Sequence, residues 1–300
     1  MLLAEFIKTN VAALKELYPE AEAKSIILML LEARIGTKSY TPIVEPSYEI
    51  PSDRLAGLEA DVARLVKGEP VQYVIGTMDF CGFKFKVDSS VLIPRPETEF
   101  LCKQAIKTGR QVQRMRTAYG KSAEPVRILD LCTGSGNIAW TMALSIPGAK
   151  VVGVDISDDA LNIAKGQDFA DLIKEKEGFA PIFVKADVLD AEQAFDYGEF
   201  DLILSNPPYI KSSEKETMRK NVLEYEPQLA LFVPDDDPLL FYRAIALWSK
   251  RFLAEGGKGL TEINESLGPD TKEVFKSEGF SQSDIMKDFF DKNRYIIYSK

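Results

Sequence analysis

The chain has 300 residues, of which 45% are hydrophobic and 28% charged, the balance of an ordinary globular protein rather than a disordered or fibrous one. A formal net charge of -9 makes the surface as a whole repel phosphate backbones, so nucleic acid is a disfavoured partner. There is no histidine, which removes the commonest general base and transition-metal ligand, and Cys81, Cys102 and Cys132 contain no Cys-x-x-Cys pair, so neither a zinc site nor a disulfide framework is expected.

The longest purely aliphatic stretch, Ile26 to Leu31, is far short of the roughly 20 residues that cross a bilayer. Met1 to Asn10 carries Glu5 and Lys8 and lacks the apolar core of a signal peptide, so no membrane partner and a cytoplasmic location are expected. A monomer is the default. In chain order, Leu3, Phe6, Ile7, Leu14 and Leu17 recur near helical spacing, followed by Ile26 to Leu31 and then Leu55, Leu58, Val62, Leu65 and Val66. Tyr40 to Ser52, with Pro42, Pro46 and Pro51, reads as a loop between helical pieces.

At Phe80 the period changes. Phe83, Phe85 and Val87 alternate with Lys84, Lys86 and Asp88, and Gly82 supplies a bend, which predicts a β-hairpin. Beyond Pro94-Arg95-Pro96, strand-like and helix-like segments alternate to the end, the pattern of an α/β domain with a mostly parallel sheet. The expected division is 1–72 helical domain, 73–95 hairpin linker and 96–300 α/β domain. Strands are predicted at Val126 to Leu131, Lys150 to Val154, Ile182 to Val184, Phe200 to Leu204, Lys258 to Ile263 and Tyr295 to Tyr298. The clearest helix runs from Pro238 to Leu253. The polar Lys107 to Glu124 region reads as a mobile connection, and the overlapping basic stretch of Lys103, Lys107, Arg110, Arg114, Arg116 and Lys121 reads as a solvated face in preference to a docking patch.

Two constellations carry chemistry. The first predicted strand of the α/β domain ends at Asp130 and runs through Cys132-Thr133-Gly134-Ser135-Gly136 into a helix. Such a turn asks for backbone angles that glycine takes cheaply, and it lets a ligand lie against the backbone at a helix N-terminus. Asp130 can hold the loop or accept from a ligand. The next strand ends in Asp155, 155 − 136 = 19 residues past the last glycine, near the spacing at which an acid meets ribose hydroxyls. Asp187 closes a third strand, where it can accept from an adenine amine while Val188 covers the ring. The loop lacks the full Gly-x-Gly-x-x-Gly of dinucleotide sites, which favours an adenosyl ligand without a pyrophosphate.

The second constellation is Asn206-Pro207-Pro208-Tyr209, at the carboxyl end of a further strand, where ligands bind in open parallel sheets. Prolines remove N–H donors and stiffen the chain, so nearby carbonyls present acceptors. An amide or amidine NH2, a poor nucleophile, could be held by the Asn206 side-chain oxygen and the Pro207 carbonyl and aimed at a sulfonium methyl, with Tyr209 stacking on the flat group and Asn206 also bordering the cofactor. Positioning then carries the catalysis, without a strong general base.

These residues, with Pro70 to Gly76, Leu92 to Glu99, Ile128 to Gly136 and Glu226 to Phe232, resemble class I methyltransferases that modify planar nitrogens, and more narrowly the release-factor glutamine methyltransferase (HemK/PrmC) family. The resemblance implies a Rossmann-like, seven-stranded domain that binds S-adenosylmethionine near Cys132 to Gly136, Asp155 and Asp187, with no metal. It also implies a small N-terminal helical domain that docks peptide chain release factors, whose Gly-Gly-Gln glutamine would bind at Asn206, Pro207, Pro208 and Tyr209. Arg95 to Thr98 would shape the pocket wall, and for Arg95 a structural salt bridge competes with a substrate role. Cys132 stands where that family usually has glycine, and the basic connector is longer than usual. DNA adenine N6-methylation, methylation of a ribosomal-protein glutamine and a non-catalytic adenosyl-binding scaffold are the competing readings.

Overall fold

In the computed structural model, which describes residues 1–120 and 124–300, the chain groups into two compact units, one of Met1–Thr77 with Met218–Tyr225, the other of Met78–Thr217 with Glu226–Lys300. The first unit therefore takes back a short segment from far along the chain. Its helices are α1 (Leu3–Leu14), α2 (Glu20–Ile35), the one-turn α3 (Thr41–Val44), α4 (Ser52–Val66) and α5 (Val71–Ile75). Leu3, Phe6, Ile7, Val11 and Leu14 are buried on one stripe of α1 and meet Ile27, Leu30 and Leu31 of α2 and Leu58 and Leu65 of α4 in one apolar cluster. The proline-rich stretch expected as a plain loop holds α3, with Pro42 in its first turn, and is tied to the N-terminus by a bridge between Leu2 and Glu49.

The hairpin consists of β1 (Thr77–Phe80) and β2 (Phe83–Lys86). Cys81 and Gly82 have φ of 50° and 81°, the doubly positive pattern of the type I′ turn that matches strand twist. The segment expected to be mobile is largely helix: α6 (Pro96–Ala118) begins with proline at its first position and continues for 23 residues. Leu101, Cys102, Ala105 and Gly109 give it a buried stripe that the polar composition hides. Several of its basic residues are engaged within the unit: Lys103 with Glu99, Arg110 with the Ser145 carbonyl, and Arg116 with Asp201 at 2.6 Å. Lys121 lies outside the described residues.

The rest follows as β3 (Arg127–Leu131), α7 (Asn137–Ser145), β4 (Lys150–Asp155), α8 (Asp158–Lys165), α9 (Ala170–Glu175), β5 (Ile182–Lys185), β6 (Phe200–Ser205), β7 (Ile210–Lys211), α10 (Lys220–Tyr225), α11 (Gln228–Leu231), β8 (Phe232–Val233), α12 (Leu240–Phe252), β9 (Leu253–Glu262), α13 (Gly268–Ser277), β10 (Gln282–Lys287) and β11 (Asn293–Ser299). Seven strands form one sheet in the order β10-β11-β9-β6-β3-β4-β5. Pairings from β9 through β5 are parallel, and β11 runs antiparallel to both neighbours. This is the mostly parallel seven-stranded architecture expected of a class I methyltransferase domain. Near-continuous apolar runs such as Ile128-Leu129 and Val151-Val152 are buried on both faces, as a helix-covered parallel sheet requires. Successive strands move outward from β3 through β4 to β5, and the chain then returns to place β6 on the other side of β3, so the strand order reverses between β3 and β6. Ligands bind at such a switch point.

Candidate active site

Register brings the chemistry together. Leu131 pairs with both Val154 and Ser205, and Ser205 pairs with Thr261. The residues just past those positions, Cys132, Asp155, Asn206 and Glu262, therefore share one edge of the sheet. Above it lies a cleft of about 1060 Å³, its open mouth included. Among the residues expected to bind ligands, Cys132, Thr133, Gly134, Ser135, Asp155, Asp187, Val188, Asn206 and Pro208 line it.

The glycine loop is held from beneath. Asp130 is fully buried; its Oδ2 accepts from Thr133 Oγ1 at 2.5 Å and from the Ala139 amide at 3.2 Å, while its Oδ1 has no partner among the described residues. These bonds tie the loop from below, and Asp130 is not among the residues that line the cleft. Burial pushes its pKa up to about 7 against the pull of those two donors. Cys132 takes φ of 60°, the left-handed region in which glycine is at ease, and Gly134 takes 53°. Gly136, also off the wall, has φ of 76°, and a Cβ there would meet Phe183, Ala164 and Trp140 at 3.0–3.1 Å, so its place is set by close packing.

Asp155 faces the cleft with one oxygen accepting from the Gly134 amide at 2.8 Å and the other from the Ser157 amide at 3.0 Å. Burial raises its pKa and those amides lower it. Each oxygen keeps a second lone pair, so the carboxylate can still take hydroxyl donors. Asp187 accepts from the Leu189 amide at 2.9 Å, a local turn that fixes Val188 beside it on the wall.

At the other end of the cleft the Asn206 Nδ2 donates to Thr98 Oγ1 at 3.1 Å. Thr98 in turn donates to Glu262 Oε2 at 2.8 Å, and the Tyr209 phenol donates to Glu262 Oε1 at 2.9 Å. Pro207 and Tyr209 are not among the residues that line the cleft; the half-buried Tyr209 ring packs on the core while its hydroxyl is taken by Glu262. Burial and the Glu262 carboxylate raise the Tyr209 pKa well above that of a free phenol. Arg95 is likewise off the wall. Its guanidinium pairs with the buried Glu226 at 2.6 Å, the structural salt bridge that competed with a substrate role, while Glu226 also takes the Ile93 amide at 3.2 Å. The pair pins Leu92 and Pro94, which do line the cleft, together with Thr98, Leu229, Ala230 and Phe241.

Sequence reasoning missed Glu262 and Phe241. Glu262 lies next to last in the predicted strand Lys258 to Ile263, but beside Lys258 and Thr261 it did not stand out. No group of three or more His, Cys, Asp or Glu side chains among the described residues has the arrangement to hold a metal.

A family model for a methyltransferase domain matches residues 123–241, and one for the PrmC N-terminal domain matches residues 5–76. The release factor glutamine methyltransferase of Flavobacterium psychrophilum is 35% identical over 99% of this chain and 98% of its own length. Those of Bacteroides thetaiotaomicron, 35% identical over 96% of each chain, and Chlorobaculum tepidum, 34% identical over 96% of this chain and 93% of the other, are similar along the same span. With matches of that identity along nearly the whole length of each relative, and a fold and cleft of the corresponding kind, the chain belongs to the release factor glutamine methyltransferase family.

Proposed function

We propose that the protein transfers a methyl group from S-adenosylmethionine to the side-chain amide nitrogen of the glutamine in the Gly-Gly-Gln motif of peptide chain release factors. The observation that carries the reading is the state of Asn206: it lines the cleft, its NH2 is committed to Thr98, and its side-chain oxygen accepts no hydrogen bond among the described residues. That leaves an acceptor for an amide N–H. S-adenosylmethionine bound in the cleft would supply an electrophilic methyl on a sulfonium. Thr133 to Ser135 would cradle it, Asp155 would accept from its ribose hydroxyls, and Asp187 and Val188 would meet its adenine.

Asn206 orients the glutamine nitrogen, and Pro208, Leu92 and Pro94 exclude water around it. The amide proton becomes acidic only as the new bond forms and leaves late, so no strong base is needed, and none stands beside Asn206 among the described residues of the wall. The first unit is the docking element for the release factor, consistent with its own core and its match to the PrmC N-terminal domain. Among the described residues no helix is long and apolar enough to cross a membrane, and the three cysteines are free, which suits a cytoplasmic reaction on a translation factor.

The test is transfer of labelled methyl to purified release factor, to the same factor with its motif glutamine changed to alanine, and to duplex DNA. Label on the unaltered factor alone is expected, with Asn206→Ala lowering kcat on the order of 100-fold at unchanged cofactor affinity. Label on DNA, or equal label on the alanine form, would overturn the reading.

A further inference from the structure

An asparagine side chain is nearly symmetrical in shape, and turning it by half a rotation exchanges its oxygen for its NH2. For an amide proton donor only one orientation of Asn206 serves. The choice is made further back. The Thr98 hydroxyl has one proton, which goes to Glu262 Oε2 at 2.8 Å, so toward Asn206 it can only accept. Tyr209 gives its proton to Glu262 Oε1 at 2.9 Å. An ionised carboxylate accepts at both oxygens and donates at neither, so the direction of the whole chain of bonds starts there. Glu262 and Thr98 are each 1% exposed, and water has no access to replace a missing partner.

We propose that Glu262 and Thr98 are positioning residues that set the donor–acceptor polarity of the site: the Glu262 carboxylate turns the Thr98 hydroxyl, Thr98 holds the Asn206 NH2, and the Asn206 oxygen is left facing the substrate amide. This deepens the methyl-transfer reading above and rests on it. A protonated Glu262 can instead donate to Thr98, whose own proton then turns to Asn206 and draws the asparagine oxygen away from the cleft. Polarity, and with it productive binding of a donor, is lost in that state.

The groups that face Glu262 are Thr98 and Glu97 of α6, Tyr209 after β6, Tyr242 of α12, and Arg294 and Tyr295 of β11. Burial raises the Glu262 pKa above the usual carboxylate value; the Thr98 and Tyr209 donors and the Arg294 charge pull it down, and Glu97 pushes it up. The acid limb of kcat is therefore expected to be displaced upward from where an ordinary glutamate would put it.

The experiment measures kcat and KM on the release factor across pH, with cofactor affinity by calorimetry, for wild type, Thr98→Val, Thr98→Ser and Glu262→Gln. Thr98→Val keeps the shape and removes the hydroxyl; its kcat is expected to fall on the order of 100-fold at unchanged cofactor affinity. Thr98→Ser, which restores the hydroxyl, is expected to recover most of that loss. Glu262→Gln, which presents a donor where the carboxylate only accepts, is expected to be slow at every pH and to lose the acid limb. An undiminished Thr98→Val, a Thr98→Ser as slow as Thr98→Val, or an acid limb that survives in Glu262→Gln would each overturn the proposal while wild type still labels the factor. No label from wild type would instead sink the reaction and the network's role in it together.

Discussion

Asp130 shows what a single buried carboxyl contributes beneath a ligand loop. Its folded pKa of about 7 stands above the value of roughly 3.9 for an unfolded aspartate. Between those values the folded state holds the extra proton, so this group's contribution is fully present below the unfolded value and is lost as pH rises through the folded one. Asp130→Asn cannot titrate. The stability difference between wild type and Asp130→Asn, from urea unfolding without cofactor, should therefore shift toward the variant between pH 4 and pH 8, on the order of 4 kcal/mol in all. A difference that stays flat across that range would mean that Asp130 is ionised in the fold. Single residues were also where the sequence was most and least informative. Asn206, Asp155 and the glycine loop could be read because each sits at the end of an apolar strand, where a polar residue stands out. Pro207, Tyr209 and Arg95 are not among the residues that line the cleft; the Tyr209 hydroxyl goes to Glu262 and the Arg95 guanidinium to Glu226, the salt bridge weighed for it from the sequence, and a motif's composition alone does not reveal such partners. Glu262 acts through Thr98, a residue 164 positions away in the chain, and no local pattern encodes such a partner.

Elements were legible in proportion to their apolar content. The six predicted strands coincide with β3, β4, β5, β6, β9 and β11, and the helix expected from Pro238 to Leu253 is α12. In the seven-stranded sheet the strand that escaped, β10, reads Gln-Ser-Asp-Ile-Met-Lys and lies at the edge, where one flank and much of its surface remain in water; the two-residue β7 and β8 are too short to leave a pattern. The alternation of β10 is weak because little of it is buried. In α6 the polar face outweighs a narrow stripe that binds it to the sheet, and composition alone suggested a linker. One pair of elements is joined by an absent side chain. Gly259 in β9 pairs with Tyr298 in β11, and the tyrosine ring lies across the glycine: a Cβ there would come within 1.9 Å of Tyr298 Cζ. The ring cannot easily retreat, since the Phe275 ring lies tilted against it at 4.1 Å between centroids and the Tyr298 hydroxyl bonds Ser249 at 2.8 Å. Gly259→Ala should cost about 3 kcal/mol in urea unfolding through this overpacking. A loss near zero would show that Tyr298 moves aside freely.

At the scale of the whole molecule, the chain of net charge -9 divides unevenly, and the smaller unit is not a simple N-terminal piece. Residues 218–225 belong to it: Arg219 pairs with Glu22, and the Tyr225 hydroxyl donates to the Lys67 carbonyl at 3.0 Å. Deleting the N-terminal helices would strip that segment of its partners, so lost activity after deletion would not distinguish docking from damage. A surface change is the sharper test. Tyr40, Ile43 and Val44 are 58%, 78% and 62% exposed around the one-turn helix α3, apolar surface that the unit's own core does not use. If this face receives the release factor, covering two aliphatic side chains is worth a few kcal/mol at most, of the order of 1.5–3 each. Ile43→Asp combined with Val44→Asp should then raise KM for the intact factor about tenfold or more, the equivalent of at least 1.4 kcal/mol, while kcat and cofactor affinity stay as they are. A short peptide carrying only the Gly-Gly-Gln loop, which brings no docking surface of its own, should be methylated equally by both proteins. Unchanged KM for the intact factor would remove this face from the docking surface, and an equal loss on the peptide would place the effect in the cleft instead.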